Sequence, residues 1–234
     1  MGLSVCIHQP DFAPWGGFFQ RLLDCDLFLL LDDAQFEKNG WHNRDRIKSA
    51  QGPRWLSLPV RRGPLGQLIR DVEISPIPGW QEKLLNQLRE SYRKAPFFET
   101  CFQDFAPLIR TAPIHMVDLN ELVIKWMMAV YGLQVPTRRT SPLGIRERGN
   151  TRLLAILKSV GATRYITGSG SRAYLDEAAF QAQGIQVTWQ SWTMPSYPQL
   201  HGPFVGGLSS LDTLFNLGPK ARHWLRHHGP SFEV

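Results

Sequence analysis

The order of apolar and polar residues predicts an α/β protein whose first and last thirds alternate strands with helices. Short apolar runs at 3–7, 27–31, 164–167 and 185–189 have the length of buried strands. Segments with apolar residues at helical spacing lie between them. Because this alternation is typical of a parallel sheet covered by helices, we predict a Rossmann-like core built from both ends of the chain.

The middle third has a different pattern, in which apolar residues recur at spacings of three and four. The predicted helices cover residues 80–92, 96–110 and 119–131, and Gly132 is a plausible stop for the last of them. Partial alternation at 55–60 and 68–74 predicts two further strands. We therefore expect one α/β domain over 1–234, with a helical insert or cap at 80–133.

Composition fits a single globular core. The 234 residues are 43% hydrophobic and 20% charged. The first residues do not resemble a leader peptide, and no run approaches the roughly 18 apolar residues that span a bilayer. Cys6, Cys25 and Cys101 lie far apart among apolar neighbours, which favours neither a disulfide nor a metal site. We expect a cytoplasmic protein without a membrane span.

Polar residues collect directly after the first two predicted strands. His8 and Gln9 follow the first, and Asp32 and Asp33 follow the second. Ligands of open parallel sheets bind at the carboxyl ends of the strands, so these positions predict a site. His8 is a candidate general acid or base, or alternatively a residue that fixes its loop. One aspartate would face the site as a catalytic group while the other braces a loop, and structural bracing of both is the alternative.

The net charge of +6 favours anionic partners, and basic residues are densest just after the second strand. A guanidinium group can hold phosphate or carboxylate through two hydrogen bonds, and a tryptophan can stack on a base or sugar ring. We therefore predict a substrate-binding loop in this region. Its candidate binding residues are Gln35, Lys38, Trp41, Asn43, Arg44 and Arg46.

A glycine-rich turn follows the strand predicted at 164–167. Gly168, Ser169 and Gly170 precede a helix predicted at 174–183, and Arg172 lies between them. Backbone N–H groups at such a turn, together with the positive end of a helix, predict contact with phosphate, carboxylate or a nucleotide. The alternative is that glycine and serine meet only the steric needs of a tight turn.

Five long motifs, taken in their order along the chain, resemble those of a known protein family. They read IHQPxxxPWxGFFxR from Ile7, DLFLLLDDAQFEKNGWHNRDRIK from Asp26, KAPFFE from Lys94, TGSGSRAYLDE from Thr167 and LSSLDTLFNLGP from Leu208. Over nearly the whole chain, the sequence resembles the WbqC-like protein family. That resemblance implies a bacterial transferase that modifies an activated sugar or amino sugar in surface-polysaccharide (O-antigen-type) biosynthesis, and it implies no cofactor.

A weaker similarity concerns architecture. A histidine-containing loop after the first strand and a glycine-rich turn after a late one are similar to the fold of pantothenate synthetases and nucleotidylyltransferases. Those enzymes carry two histidines in an HxGH motif, whereas only His8 is present here. A nucleotidylyltransferase-like core is therefore compatible with the sequence, but the adenylyl-transfer mechanism is not supported.

Two function classes remain open. The first is a transferase that holds an anionic small molecule, such as a nucleotide sugar or an acyl donor, and the missing DxD spacing argues against a metal. The second is a module for RNA, tRNA or another polyanion, with Trp41, Trp55, Trp189 and Trp192 as stacking surfaces. An aminoacyl-tRNA-dependent transferase would combine both.

Overall fold

Five parallel strands form the central sheet among the described residues of the protein. The structure is a computed structural model that describes residues 2–61, 63–229 and 231. The sheet consists of β1 (Leu3–His8), β2 (Leu27–Leu30), β5 (Thr137–Arg139), β6 (Ala162–Thr167) and β7 (Gln186–Trp189). The spatial order β5-β2-β1-β6-β7 is that of a doubly wound Rossmann-like sheet. The predicted α/β fold with a parallel sheet is confirmed.

The order of the strands reverses between β1 and β6. From β1 the chain runs outward through β2 and β5, and it then crosses to β6 and β7 on the other side. The apolar runs of β1 and β2 are buried because neighbouring strands and helices cover them, as the register Val5↔Leu27 and Val5↔Tyr165 shows. The carboxyl ends of β1 and β6 therefore flank a topological switch point.

Helices cover both faces of the sheet. The core on one face includes Phe28 and Leu30 of the sheet and Leu85 and Met127 of the helices. Its helices are α1 (Gly16–Gln20), α2 (Trp80–Tyr92), α3 (Phe98–Arg110), α4 (Met116–Tyr131), α7 (Ser210–Leu217) and α8 (Ala221–Arg226). The opposite face packs on α5 (Gly149–Ser159) and α6 (Glu177–Ala182). The helices of the middle third thus belong to one layer of a three-layer fold.

A β-hairpin occupies much of the segment that the sequence predicts as a loop. β3 (Arg44–Ser49) pairs antiparallel with β4 (Gly52–Ser57), in the register Arg46↔Trp55. The loop prediction for this arginine-rich segment was wrong, because polar residues at buried positions mask the strand. Lys48 is the clearest case, since its buried Nζ donates to Gln199 Oε1 and to the carbonyl oxygens of Gly202 and Pro203.

Two other local predictions were wrong. The alternation at 68–74 gives a 3₁₀ turn at Ile69–Asp71 instead of a strand. The predicted start of a helix at residue 174 is wrong, because a 3₁₀ turn at Ser169–Ser171 follows the glycine-rich turn. Helix α6 begins only at Glu177, where Asp176 Oδ1 accepts a hydrogen bond from Ala179 N at 3.2 Å. The positive end of α6 is therefore displaced from the turn.

Among the residues that the structure describes, no helix is both long enough and apolar enough to cross a bilayer.

Candidate functional site

A cavity of about 640 Å³ opens at the carboxyl ends of β1 and β6. It lies where the strand order reverses, which is the expected ligand position in an open parallel sheet. We call it the switch-point cavity. The polar side chains and turn residues in its lining include His8, Gln9, Arg21, Glu37, Arg152, Thr167, Gly168, Ser169, Gly170, Ser171, Tyr174 and Gln190.

Arg21 lies in the wall of this cavity, and one nitrogen of its guanidinium group, Nε, lacks a hydrogen-bond partner within the described residues. The residue follows α1, and its guanidinium carbon lies 5.7 Å from the centre of the Phe18 ring. Within the described residues, its buried Nε has no hydrogen-bond partner and the side chain forms no ion pair. Burial lowers the pKa of Arg21 below its usual value. A buried N–H group without an acceptor is unfavourable, so an anion bound beside this partly buried cation would stabilise the wall.

Two backbone features line this cavity together with Arg21. Gly168 begins the turn after β6 and lies close to the guanidinium group of Arg21. Helix α5 starts at Gly149 on the cavity wall, and no side chain caps its first turn. Arg152 of the same helix also lines the cavity, but it is paired with Asp33 Oδ1 at 2.5 Å. The turn, the positive end of α5 and Arg21 together favour an anionic group.

A second cavity, of about 420 Å³, adjoins the first. We call it the carboxyl cavity, and its lining consists of His8, Gln9, Asp11, Pro14, Trp15, Glu37, Trp41, His42, Asp45, Arg46 and Gly207. His8, Gln9, Trp15 and Glu37 line both cavities. The side chain at the end of β1 thus stands at the junction of two spaces.

The hydrogen bond of His8 fixes its tautomer. Nδ1 lies 2.9 Å from the carbonyl oxygen of Gln9, which can only accept, so Nδ1 carries the proton and Nε2 is the acceptor. Asp11 Oδ2 lies 3.6 Å from the same Nδ1. Burial and the nearby Arg21 lower the pKa of His8 to about 3. The imidazole is therefore neutral near pH 7 and presents Nε2 as a base.

Two aspartates of the carboxyl cavity hold their protons unusually strongly. Burial raises the pKa of Asp11 to about 7; the charge of the nearby Arg21 opposes this rise, and the Glu37 carboxylate adds to it. Burial, with a contribution from Asp11, raises the pKa of Asp45 to about 8. Within the described ranges, no group of three or more His, Cys, Asp and Glu side chains is arranged to hold a metal ion. Near neutral pH these carboxyl groups can donate as well as accept a proton.

The wall between the two cavities is braced by a short chain of hydrogen bonds. His42 Nε2 donates to Gln9 Oε1 at 2.8 Å, and His42 Nδ1 accepts from Glu37 N at 3.3 Å. Burial lowers the pKa of His42 to about 4. Asn120 Nδ2 donates to the carbonyl oxygens of Pro10 and His42, each at 2.7 Å. These bonds fix the loop that carries Gln9 and Asp11.

The structure brings part of the predicted site together. His8 and Gln9 line both cavities, Trp41 and Arg46 line the carboxyl cavity, and the predicted glycine-rich turn, 168–170, lines the switch-point cavity. Arg46 also donates to the carbonyl oxygen of Gly207 at 3.2 Å. These residues come from distant parts of the chain and meet at one edge of the sheet.

The predicted catalytic aspartates line neither cavity. Asp32 is buried and accepts hydrogen bonds from Ser141 N at 2.9 Å and from Ser141 Oγ at 2.7 Å. Asp33 accepts from Thr140 Oγ1 at 2.6 Å and pairs with Arg152. Both carboxylates tie down the segment after β5, which matches the bracing alternative for the pair.

Other predicted binding residues lie outside both cavities. Gln35, Lys38 and Asn43 line a third cavity of about 470 Å³, together with residues 60–61 and 63–67. The guanidinium group of Arg44 stacks on Trp55, 4.0 Å from the ring centre. Arg172 lies 5.1 Å from the Trp189 ring. Their predicted contact with substrate stays a prediction.

Sequence reasoning missed several residues of the two cavities, among them Asp11, Arg21, His42 and Asp45. Asp11 had a usable signal, because it lies three residues after His8 in the same loop. Asp45 could have been found only by recognising that alternate residues of β3 point to opposite faces. Arg21 also had a signal, because it is the last residue of the motif quoted from Ile7.

The chain was compared with known proteins. The model of the WbqC-like protein family matches residues 9–224. A protein of Mycobacterium tuberculosis, named only as uncharacterized protein Rv1507c, is 30% identical over 227 residues, which cover 96% of this chain and 98% of that one. No solved structure gave a significant match.

Proposed function

The chain belongs to the WbqC-like protein family, and from this premise we propose that it is a group transferase that modifies an activated sugar or amino sugar for surface-polysaccharide synthesis. One observation supports transfer above all. A neutral histidine lies at the junction of two cavities, one lined by Arg21 with its unpartnered Nε and the other by a cluster of carboxyl groups. Such a pair of spaces suits a donor and an acceptor that must meet at one atom.

The donor in this proposal binds in the switch-point cavity through phosphate groups. A phosphate beside Arg21 would satisfy the guanidinium N–H groups, and the backbone at Gly168 and the start of α5 would add donors. A nucleotide sugar or a phosphate-bearing acyl donor meets this requirement. The reactive end of the donor would then point toward His8.

His8 in this proposal takes the proton of the attacking group. The acceptor's O–H or N–H bond breaks as the acceptor atom bonds to the transferred group, and the proton passes to Nε2. The leaving phosphate retains the electron pair of the broken bond and stays beside Arg21. Because the charge of Arg21 helps to lower the pKa of His8, a bound phosphate would raise that pKa and make His8 a stronger base in the loaded enzyme.

An aminoacyl-tRNA donor is the second candidate, and an exposed aromatic pair favours it. The rings of Trp41 and Trp55 lie 5.6 Å apart and are 47% and 42% exposed. Arg44 stacks on Trp55, and Trp41 also lines the carboxyl cavity. Unpaired bases at the end of an RNA strand stack well on such a platform.

The test measures the binding of UDP and UDP-N-acetylglucosamine to the wild-type protein and to the variant Arg21→Gln. Calorimetry gives the affinities, and thermal unfolding gives the stabilisation by each ligand. The wild type should gain stability, because a ligand that binds only the folded state shifts unfolding. Loss of a charge-assisted hydrogen bond should weaken binding to Arg21→Gln by about 10- to 100-fold. The matched control is Arg226→Gln, whose arginine is exposed on α8 and lines neither cavity.

The outcomes separate the candidates. Absence of any stabilisation of the wild type by either nucleotide contradicts a nucleotide-sugar donor. Stabilisation by total tRNA alone, with an affinity that falls steeply as salt rises, favours the aminoacyl-tRNA donor. If Arg21→Gln and the control bound the nucleotides equally well, Arg21 would not contribute to donor binding.

A further inference from the structure

The carboxyl cavity has the opposite charge preference from its neighbour. Asp11, Glu37 and Asp45 contribute three carboxyl groups, while its only arginine within the described residues, Arg46, donates to the carbonyl oxygen of Gly207. Both histidines of the lining are neutral near pH 7. A bound cation would favour the ionised form of these carboxyl groups, whereas a bound anion would oppose it.

Asp45 presents an unsatisfied oxygen to this space. The side chain is only 3% exposed, and its Oδ1 accepts a hydrogen bond from Arg46 N at 2.6 Å. Oδ2 has no hydrogen-bond partner in the part of the chain that the structure describes. With Oδ1 engaged by Arg46 N, Oδ2 carries the proton of the neutral acid and, once that proton is lost, can accept a hydrogen bond from a ligand N–H group.

Two tryptophans give the same cavity apolar faces. Trp15 is 39% exposed and Trp41 is 47% exposed, and both line it. Indole faces pack against the C–H faces of sugar rings and attract cations. Carboxyl groups and exposed indoles around a volume of about 420 Å³ suit a ring of sugar size that carries a positive charge.

We propose that the carboxyl cavity binds a sugar acceptor through a protonated primary amine, held by Asp45 and Asp11 with the ring against Trp15 and Trp41. This inference extends the transferase proposal, since it names the chemical class of the acceptor. A cation between the two aspartates also relieves their mutual repulsion, so it favours the ionised form of both carboxyl groups. Binding near neutral pH therefore releases protons.

The experiment compares three probes on the wild-type protein at pH 7, with calorimetry as the readout. Glucosamine carries the amine, N-acetylglucosamine has it blocked, and glucose lacks it. Glucosamine should bind about tenfold or more tightly than the other two, because charge-assisted hydrogen bonds are the stronger ones. Titrations in buffers of different ionisation heat should show proton release with glucosamine only.

Variants test the residues. Asp45→Asn and Asp11→Asn resemble the protonated carboxyl groups in shape, and each should remove most of the preference for glucosamine. The matched control Glu90→Gln changes an exposed carboxylate outside the cavity and should keep the preference. Two separate variants are used, so that the amine preference can still be measured in one of them if the other does not fold.

Equal binding of glucosamine and glucose to the wild type would overturn the inference. So would an undiminished preference in both aspartate variants. Titration of UDP into the same samples separates the two proposals: UDP binding without an amine preference contradicts only the amine site. An amine preference without binding of any donor supports the amine site and contradicts the transferase.

Discussion

The two cavities differ in origin as well as in charge. The switch-point cavity is built from elements of the sheet itself, with Arg21, the turn at Gly168 and the start of α5 around the ends of β1 and β6. The carboxyl cavity adds Asp45 and Arg46 from the β3-β4 hairpin, which lies within the long connection between β2 and β5. The comparison teaches that the sheet places a cavity lined by a cation and by free backbone N–H groups in the usual ligand position, while the β2–β5 connection contributes to a second cavity lined mainly by carboxyl groups and indoles.

The largest effect is expected from His8, the side chain that both cavities share. The variant His8→Gln should lower the transfer rate by roughly 10²- to 10⁴-fold, which is the usual contribution of a general base. The affinities for UDP and for glucosamine should change far less, because the binding groups remain. Initial rates with a donor and acceptor pair found by the binding screens give the measurement. If His8→Gln retained the wild-type rate, His8 would not be the general base.

A smaller effect, on stability, follows from the Asp45 carboxyl group. Its pKa in the folded protein is about 8, above the ordinary 3.8, so the folded state binds this proton more tightly than the unfolded state. The resulting stabilisation is complete below about pH 4 and is lost as the pH rises toward 8. Asp45→Asn cannot ionise, so its melting temperature should rise relative to the wild type by several degrees between pH 5 and 8.

Thermal unfolding across that pH range measures the effect, with Glu90→Gln as the reference. The reference variant should follow the wild type at every pH. A difference between Asp45→Asn and the wild type that stays constant from pH 5 to 8 would show that Asp45 is not held protonated by its cavity.

The smallest effect is expected at Asp32, which lines neither cavity. Asp32→Ala removes the acceptors for Ser141 N and Ser141 Oγ and should lower the free energy of unfolding by about 1–3 kcal/mol. The affinity for UDP should stay the same. Denaturant unfolding and calorimetry measure the two quantities, with the exposed Asp71→Ala as control. If Asp32→Ala kept the wild-type stability but lost UDP binding, Asp32 would have a role in ligand binding and not in bracing.

The placement of His8 shows how much of the site the sequence could predict. Apolar runs of strand length identify β1 and β6, and the rule for parallel sheets places the residues after them at one edge. The helix predicted at 80–92 is confirmed for a similar reason, because its apolar spacing is local information. These features depend only on neighbours in the chain.

The roles of Arg21 and Asp45 could not be predicted in this way. Arg21 matters because it lacks a partner and lies beside Gly168, a residue distant in the chain. Asp45 matters because burial raises its pKa, and burial of this hairpin follows from tertiary contacts such as those of Lys48. Charged residues suggest a solvated loop until their partners are known, which is why the arginine-rich segment was not predicted to be a strand.

The most direct test of the opposite ligand preferences of the two cavities measures both probes, UDP and glucosamine, on one variant of each cavity. Dissociation constants of UDP and glucosamine would be measured for the wild type, Arg21→Gln and Asp45→Asn under one condition. The account predicts that Arg21→Gln loses about tenfold or more in UDP affinity while it keeps glucosamine, and that Asp45→Asn does the reverse. If each variant weakened both ligands equally, the two spaces would act as one site, and the assignment of donor and acceptor to separate cavities would be contradicted.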